Sequence, residues 1–365
     1  MRHFAAMKPI RTLLFSSLYP SSVRPSHGIF VETRLRYVLA TGQVDTRVVA
    51  PVPWFPFTGP RFGDYGLFAR TPLVETWNGV QVQHPRYLLL PKVGMNLAPM
   101  AMARAALPTI RALMANGFDF DLIDAHYYYP DGVAAMHLSR WLNKPFVVTA
   151  RGTDLNLIPE YPRPRELILQ TAAAASASIG VCRALMDTLQ NLGAEPGKLL
   201  TLRNGVDLQR FVPEDRVAAR TRLGLAADKQ YLLSVGHLIE RKGHHIAIEA
   251  LCSLPPNVHL LIAGAGEEKT RLTGLIHRLK LQERVRLVGS VLQTDLKWWY
   301  SAADALTLCS SREGWANVLL ESMACGTPVV ATNIWGTPEV VTHSHAGQLM
   351  DERSPAGLVA AWQRL

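Results

Sequence analysis

Apolar positions along the chain fall into a scheme that repeats in each half. Short runs rich in aliphatic and β-branched residues, at Thr12–Ser16, Asp45–Ala50, Leu122–Ala125 and Phe146–Ala150, end in polar or glycine-bearing loops. Between them lie stretches with helical spacing, at Glu32–Ala40, Ala98–Met114 and Val133–Trp141. The second half repeats this with runs at Tyr231–Val235, His259–Ile262, Val285–Val288, Ala305–Leu308 and Pro328–Ala331, and helical stretches at His245–Leu251, Lys269–Leu279 and Asn317–Ala324. Strands alternating with helices predict parallel sheets covered on both faces. The pattern predicts an α/β protein of two Rossmann-like domains in tandem. Asn204-Gly205, a strong turn signal, followed by the polar stretch through Pro213-Glu214-Asp215, sets the boundary near Gly205. The expected domains are 1–205 and 206–365. Functional loops of such sheets follow the carboxyl ends of the strands, so two facing domains would share one cleft.

Length agrees with two domains, since 365 residues exceed one comfortable core. With 48% hydrophobic and 18% charged residues the chain reads as globular rather than disordered. No run of about 18 residues is free of charge and turn formers, so no membrane-spanning helix is expected. The apolar stretch Thr12–Leu18 reads as a first buried strand, without a leader's cleavage pattern. Cys182, Cys252, Cys309 and Cys325 are too widely spaced for a metal knuckle or redox motif and read as buried free thiols. A reducing, cytoplasmic compartment is expected. The net charge of +9 is lopsided: residues 1–205 hold 21 Lys+Arg against 13 Asp+Glu, and the rest is nearly neutral. A basic first half can attract anionic headgroups or polyphosphates, and it can equally be a solvated surface.

The sharpest chemical feature is Glu313-Gly314-Trp315-Ala316-Asn317, leading through a helical run to Glu321. Free amides at a helix start, helped by the helix dipole, favour an anion such as phosphate. Gly314 lets the backbone approach a ligand closely. Two acids beside an anion site are poor phosphate ligands and good acceptors for hydroxyls. A nucleotide sugar carries hydroxyls on both sides of its diphosphate and fits that combination. Upstream, Gly236-His237-Leu238-Ile239-Glu240-Arg241-Lys242-Gly243 leads from a strand into a loop with adjacent cations. Lys242 as a point charge and Arg241 as a fork of donors suit a departing diphosphate. Gly264-Ala265-Gly266 is a second strand-to-helix loop, which alone marks only a turn.

Glu313, seven intervening residues, Glu321 and then Gly326-Thr327-Pro328-Val329-Val330-Ala331 resemble the signature of retaining family-four glycosyltransferases of the GT-B fold. The resemblance implies that Glu313 contacts the donor sugar, Glu321 the ribose, and the amides from Gly314 through Trp315, Ala316 and Asn317 the diphosphate. The family carries Val-Gly-Arg-Leu before its Lys-Gly. Here His237 replaces that arginine, and a protonated histidine substitutes only in part. Gly266 lies where the family's loop nears the nucleotide base. In the first half, His126 matches a histidine that contacts the donor sugar and would project into the cleft. A satisfied core histidine fits the same position. Arg151-Gly152-Thr153-Asp154 resembles a family element that has histidine in place of Arg151. Asp154 either orients hydroxyls or caps the next segment. Gly28 falls in a loop that in the family approaches donor phosphate or acceptor.

The resemblance implies retention of anomeric configuration, and similarity to members of cell-surface polysaccharide assembly. No metal and no other cofactor are expected. Expected partners are a nucleotide-sugar donor, a glycan or lipid-linked acceptor, and an anionic membrane surface at the inner face of the cell membrane. Nucleic acid is not expected, because Tyr127, Tyr128 and Tyr129 sit beside Asp124 and Asp131. Rival readings are a nucleotide-sugar epimerase or a phosphorylase on the same fold, or a non-enzymatic basic membrane-surface protein. The chain stops inside a helical pattern at Trp362-Gln363-Arg364-Leu365, where family members continue, and a truncated second domain is the corresponding expectation.

Overall fold

The structure is a computed structural model describing residues 8–89 and 94–365. The chain divides into two compact units between Leu202 and Arg203. The first contains strands β1 (Ile10–Phe15), β2 (Val44–Val49), β3 (Val52–Pro53), β4 (Val74–Trp77), β5 (Val80–Gln83), β6 (Arg86–Tyr87), β7 (Leu122–His126), β8 (Phe146–Ala150), β9 (Ala177–Gly180) and β10 (Leu199–Thr201). The second contains β11 (Gln230–Val235), β12 (Val258–Ala263), β13 (Val285–Gly289), β14 (Ala305–Leu308), β15 (Val329–Thr332) and β16 (Gly347–Met350).

The first unit's main sheet runs β10-β9-β8-β7-β1-β2-β5-β4, and β3 pairs with β6 in a separate short ribbon. All of its pairings are parallel except β4 with β5 at the edge. That antiparallel hairpin departs from the parallel sheet expected for this half. Its turn, Asn78-Gly79, has φ of 47° and 81°, the paired positive values a tight hairpin needs. The second unit's sheet, β13-β12-β11-β14-β15-β16, is parallel throughout. Strand order reverses between β1 and β7 in one unit and between β11 and β14 in the other. Ligands of open α/β sheets bind at such reversals.

Burial explains the unbroken apolar runs. In the second unit Leu232, Leu260 and Ile262 point into one layer, while Leu233, Leu261 and Ala263 point into the opposite one. Successive side chains alternate faces, so a sheet covered by helices on both sides needs apolar residues at every position. Helix starts follow side-chain chemistry: Asp215 accepts from Ala218 N at 2.8 Å, and Ser354 from Gly357 N at 3.0 Å. Cys182, Cys309 and Cys325 are buried free thiols, whereas Cys252 is exposed, contrary to the expectation for all four.

Candidate active site

In the second unit, the chain leaves β11 through Gly236 and makes one tight turn at Glu240–Lys242 before helix His244–Ala250. The lysine stem lies along Gly236, with Lys242 Cδ and Cε 3.5 Å from where a Cβ would stand. From β14 the loop beyond Leu308 carries Ser310 and Glu313 and enters helix Asn317–Ala324. The two loops are laced together. Ser311 N donates to Arg241 O at 2.8 Å, and Arg241 Nη1 donates to Arg312 O at 2.7 Å. Lys242 Nζ donates to Glu313 Oε1 at 2.6 Å, and Ser310 Oγ donates to the same oxygen at 2.6 Å. Arg241 Nη1 stands 3.9 Å from Glu313 Oε2. The structure thus brings Arg241, Lys242 and Glu313 into one charged group at the strand-order reversal.

Glu313 is 8% exposed. Burial pushes its carboxyl up, but Lys242, Ser310 and Arg241 together outweigh that and hold it below the ordinary value. It is therefore an ionised acceptor of hydrogen bonds at neutral pH, not a proton donor. Glu321 is equally buried and accepts from Tyr300 Oη at 2.7 Å. Burial raises its pKa, against the Tyr300 hydrogen bond and the Arg210 charge. Tyr300, fully buried beside that acid, titrates well above its usual range and remains a donor.

The remaining positions of this half are placed as follows. Trp315 Nε1 donates to Asn204 O at 3.1 Å, and Asn204 Nδ2 to Asn317 Oδ1 at 3.4 Å, tying the loop to the start of the unit. Gly314 and Ala316 are buried. His237 is exposed, and its carbonyl accepts from His244 Nε2 at 3.1 Å. A Cβ on Gly266 would stand 2.4 Å from Leu238 O, so this glycine is required by loop-on-loop packing. Sequence reasoning missed Ser310 and Tyr300, which hold the two acids, and Arg312, whose buried Nε has no hydrogen-bond partner among the described residues.

In the first unit, His126 ends β7 and is fully buried rather than projecting outward. Arg151 Nη2 contacts His126 Nδ1 at 2.6 Å, and Asp124 Oδ2 lies 3.3 Å from Nε2. A guanidinium can only donate, so Nδ1 accepts from Arg151, while Nε2 faces both Asp124 and, at 3.2 Å, Arg34 Nη1. Arg34 Nη1 reaches the same carboxylate oxygen at 2.9 Å. Burial pushes His126 down, Asp124 opposes it, and Arg151 and Arg34 add to the fall, to about 4. For Asp124 burial is outweighed by His126 and Arg34, and its pKa is lowered. Sequence reasoning noted Arg151 as a replacement and missed Arg34.

Asp154 is also fully buried. It accepts from Tyr128 N at 2.7 Å, Gly152 N at 2.7 Å, and Arg151 N at 3.0 and 3.1 Å. Of the two expectations for this acid, the geometry is that of a clasp on the turn before helix Thr153–Asn156. Gly28 is buried at φ 65°, and a Cβ there would stand 2.2 Å from Leu18 C, so it too is a packing glycine.

Keeping His126 neutral has a pH signature. Its folded pKa lies below the unfolded 6.5, so the unfolded chain binds the extra proton and stability falls as pH drops from about 6.5 to about 4. At pH 5 this single group is worth up to about 2 kcal/mol. Denaturant titrations at pH 7 and pH 5 should show a smaller acid loss for His126→Gln than for the wild type. An equal loss in both would mean the ring is already charged.

Known families and proteins match this chain over most of its length. The family described as glycosyl transferases group 1 matches residues 215–365, and glycosyltransferase family 4 matches residues 38–210. A D-inositol 3-phosphate glycosyltransferase of Catenulispora acidiphila is 32% identical over 328 residues, spanning 81% of this chain and 76% of its own. The chain belongs to the group 1 glycosyltransferases. This glycosyltransferase is also 28% identical over 360 residues to a Bacillus subtilis protein assigned to teichuronic acid biosynthesis as TuaC, with 97% and 89% of the two chains covered. Among solved structures it resembles the sucrose-phosphate synthase of Thermosynechococcus elongatus, with a TM-score of 0.79 at 21% identity over 98% and 89% of the chains. Anabaena HepE in complex with UDP-glucose gives 0.71 at 20% identity over 97% and 88%. These structural likenesses establish for the glycosyltransferase the fold of the GT-B enzymes.

Proposed function

We propose that the enzyme is a retaining transferase that moves a hexose-type sugar from a nucleoside-diphosphate donor to a glycan or lipid-linked acceptor in polysaccharide assembly. The observation that carries this reading is the Lys242–Glu313 pair at the reversal between β11 and β14. It sets a cation beside a carboxylate held ionised, next to a helix start. In this reading Lys242 and Arg241, with the amides of Gly314 to Asn317, take the diphosphate, Glu313 takes sugar hydroxyls, and Glu321 takes the ribose. His237 lines the donor side in this reading. HepE solved with UDP-glucose supports the donor class, and TuaC's assigned pathway supports the setting.

In the proposed reaction the acceptor oxygen bonds to the anomeric carbon as the bond from that carbon to the diphosphate breaks. The acceptor's proton passes to the departing phosphate oxygen. Preorganised cations facing the charge that develops on the leaving group supply the main catalytic effect. The cytoplasm, at the inner face of an anionic membrane, is the proposed place of action.

A panel of nucleotide sugars, scored by nucleoside-diphosphate release and by the anomeric coupling in the product, tests this reading. Transfer with the donor's own anomeric configuration is expected, and an inverted product would remove the mechanism. Excess chelator should change the rate by less than about twofold, because the cations take the role that a metal plays elsewhere. Loss of turnover restored by Mn²⁺ or Mg²⁺ would refute that.

A further inference from the structure

Five rings of the first unit lie outside its core and touch in series. Phe57 stacks on Phe62 at 5.2 Å between centroids, and Phe62 meets Phe55 at 5.3 Å. Phe55 meets Tyr65 at 5.3 Å, and Tyr65 meets Phe68 at 5.7 Å. None of the five is buried, and Phe57 is 55% exposed. Trp54, 50% exposed, follows β3, and its amide donates to Tyr87 O, which sets it alongside Leu88 just beyond β6; Leu88 is 67% exposed. A soluble surface rarely leaves this much contiguous apolar side chain in water without a partner.

We infer that this surface, built from Trp54, Phe55, Phe57, Phe62, Leu88 and Arg61, is where the protein docks on an anionic lipid bilayer. The inference deepens the membrane setting proposed above and rests on that part of the reading alone. Phenylalanine and leucine have no donor or acceptor for sugar hydroxyls, so the patch suits acyl chains and the headgroup boundary better than a glycan. Tryptophan with phenylalanine, ringed by arginine, is the composition of proteins that lie in a membrane interface. Arg61 is exposed, with its guanidinium 4.7 Å from the Phe62 ring centroid, and Arg70 is exposed on the same segment. Asp64, the acid of this stretch, interacts with Arg24, whose guanidinium lies 5.0 Å from the Phe68 centroid. The excess of 21 basic over 13 acidic residues in positions 1–205 adds long-range attraction to negative lipid. The segment follows the carboxyl end of β2, so it leaves the sheet at the edge that also bears His126 at the end of β7. Docking there would hold that edge of the first unit close to the lipid, where a lipid-linked acceptor is presented.

Co-sedimentation of the full chain with vesicles of phosphatidylcholine and phosphatidylglycerol tests this without donor or acceptor. It therefore succeeds or fails independently of glycosyl transfer. The wild type should bind these vesicles and bind pure phosphatidylcholine weakly. Trp54→Ser/Phe57→Ser should lose at least about tenfold in partition coefficient, since two apolar side chains no longer leave water. Tyr161→Ser, at a residue 50% exposed outside the patch, should bind as the wild type does. If the double variant folds poorly by circular dichroism, Arg61→Glu serves in its place and should weaken binding to anionic vesicles only. Wild-type protein that ignores anionic vesicles, or patch variants that bind them unchanged, would overturn the inference. So would patch variants that keep vesicle binding while losing affinity for a soluble glycan, since the surface would then recognise sugar.

Discussion

Lys242→Ala is expected to lower kcat/KM for glycosyl transfer by about a thousandfold, with Glu313→Gln close behind. The two losses should differ in kind. In the proposed role, removing the lysine takes the cation from the departing diphosphate, so affinity for the nucleoside diphosphate alone should also fall. It further leaves Glu313, 8% exposed, without the ammonium 2.6 Å away that helps keep it ionised. The Glu313 pKa must then rise, and the acid limb of the kcat/KM profile should move to higher pH. Glu313→Gln keeps the volume and Lys242 but removes the charge, so nucleoside-diphosphate binding should survive while transfer is lost. Lys242→Arg should recover part of the activity. Calorimetric titration with the nucleoside diphosphate, beside turnover across a pH series, separates these outcomes. Near-normal transfer by Glu313→Gln would end the role proposed for that carboxylate.

The second large effect concerns stability. Asp154→Ala would leave the amides of Tyr128, Arg151 and Gly152 without their buried acceptor. Each unmet amide costs about 1–3 kcal/mol, and partial relaxation brings the expected total to roughly 3–5 kcal/mol. Asp154→Asn should recover part of this, because its side-chain oxygen can still accept. The measurement is the urea midpoint of both variants beside their specific activity in native conditions. A variant as stable as the wild type but inactive would return Asp154 to the chemistry, in place of the clasp described here.

The alternation of strand and helix was readable because both sheets are covered on each face and their apolar runs are unbroken. The edge hairpin β4–β5 was not recognised from that pattern. Its strands are half-exposed and short, although Asn78-Gly79 between alternating residues is a local signal that could have found it. Strands β9 and β16, of four residues each with a glycine among them, and β10, of three residues, carry too little apolar patterning to stand out.

The candidate site shows the same division. Glu313 and Glu321 were legible because their spacing is local, one loop and one helix. The bond between Lys242 and Glu313 was not, since it joins positions 71 residues apart and depends on which strands become neighbours. Glycines misled for a related reason. Gly28 and Gly266 lie in loops where a ligand could approach, yet the atoms that exclude a Cβ there belong to Leu18 and Leu238 of the protein itself. His126 was read either as projecting from the end of its strand or as a satisfied core histidine, and the structure shows the buried alternative. Arg151 supplies the buried partner that turns it inward, and only the fold reveals that meeting.

The reversal of strand order between β11 and β14 has a bearing on assembly. A chain that has made β11, β12 and β13 owns the lysine turn, but the partner acid arrives only when β14 slots in on the opposite flank of β11. A half-formed second unit therefore holds a cation without its counter-charge, and the ion pair forms only once that flank of the sheet has closed.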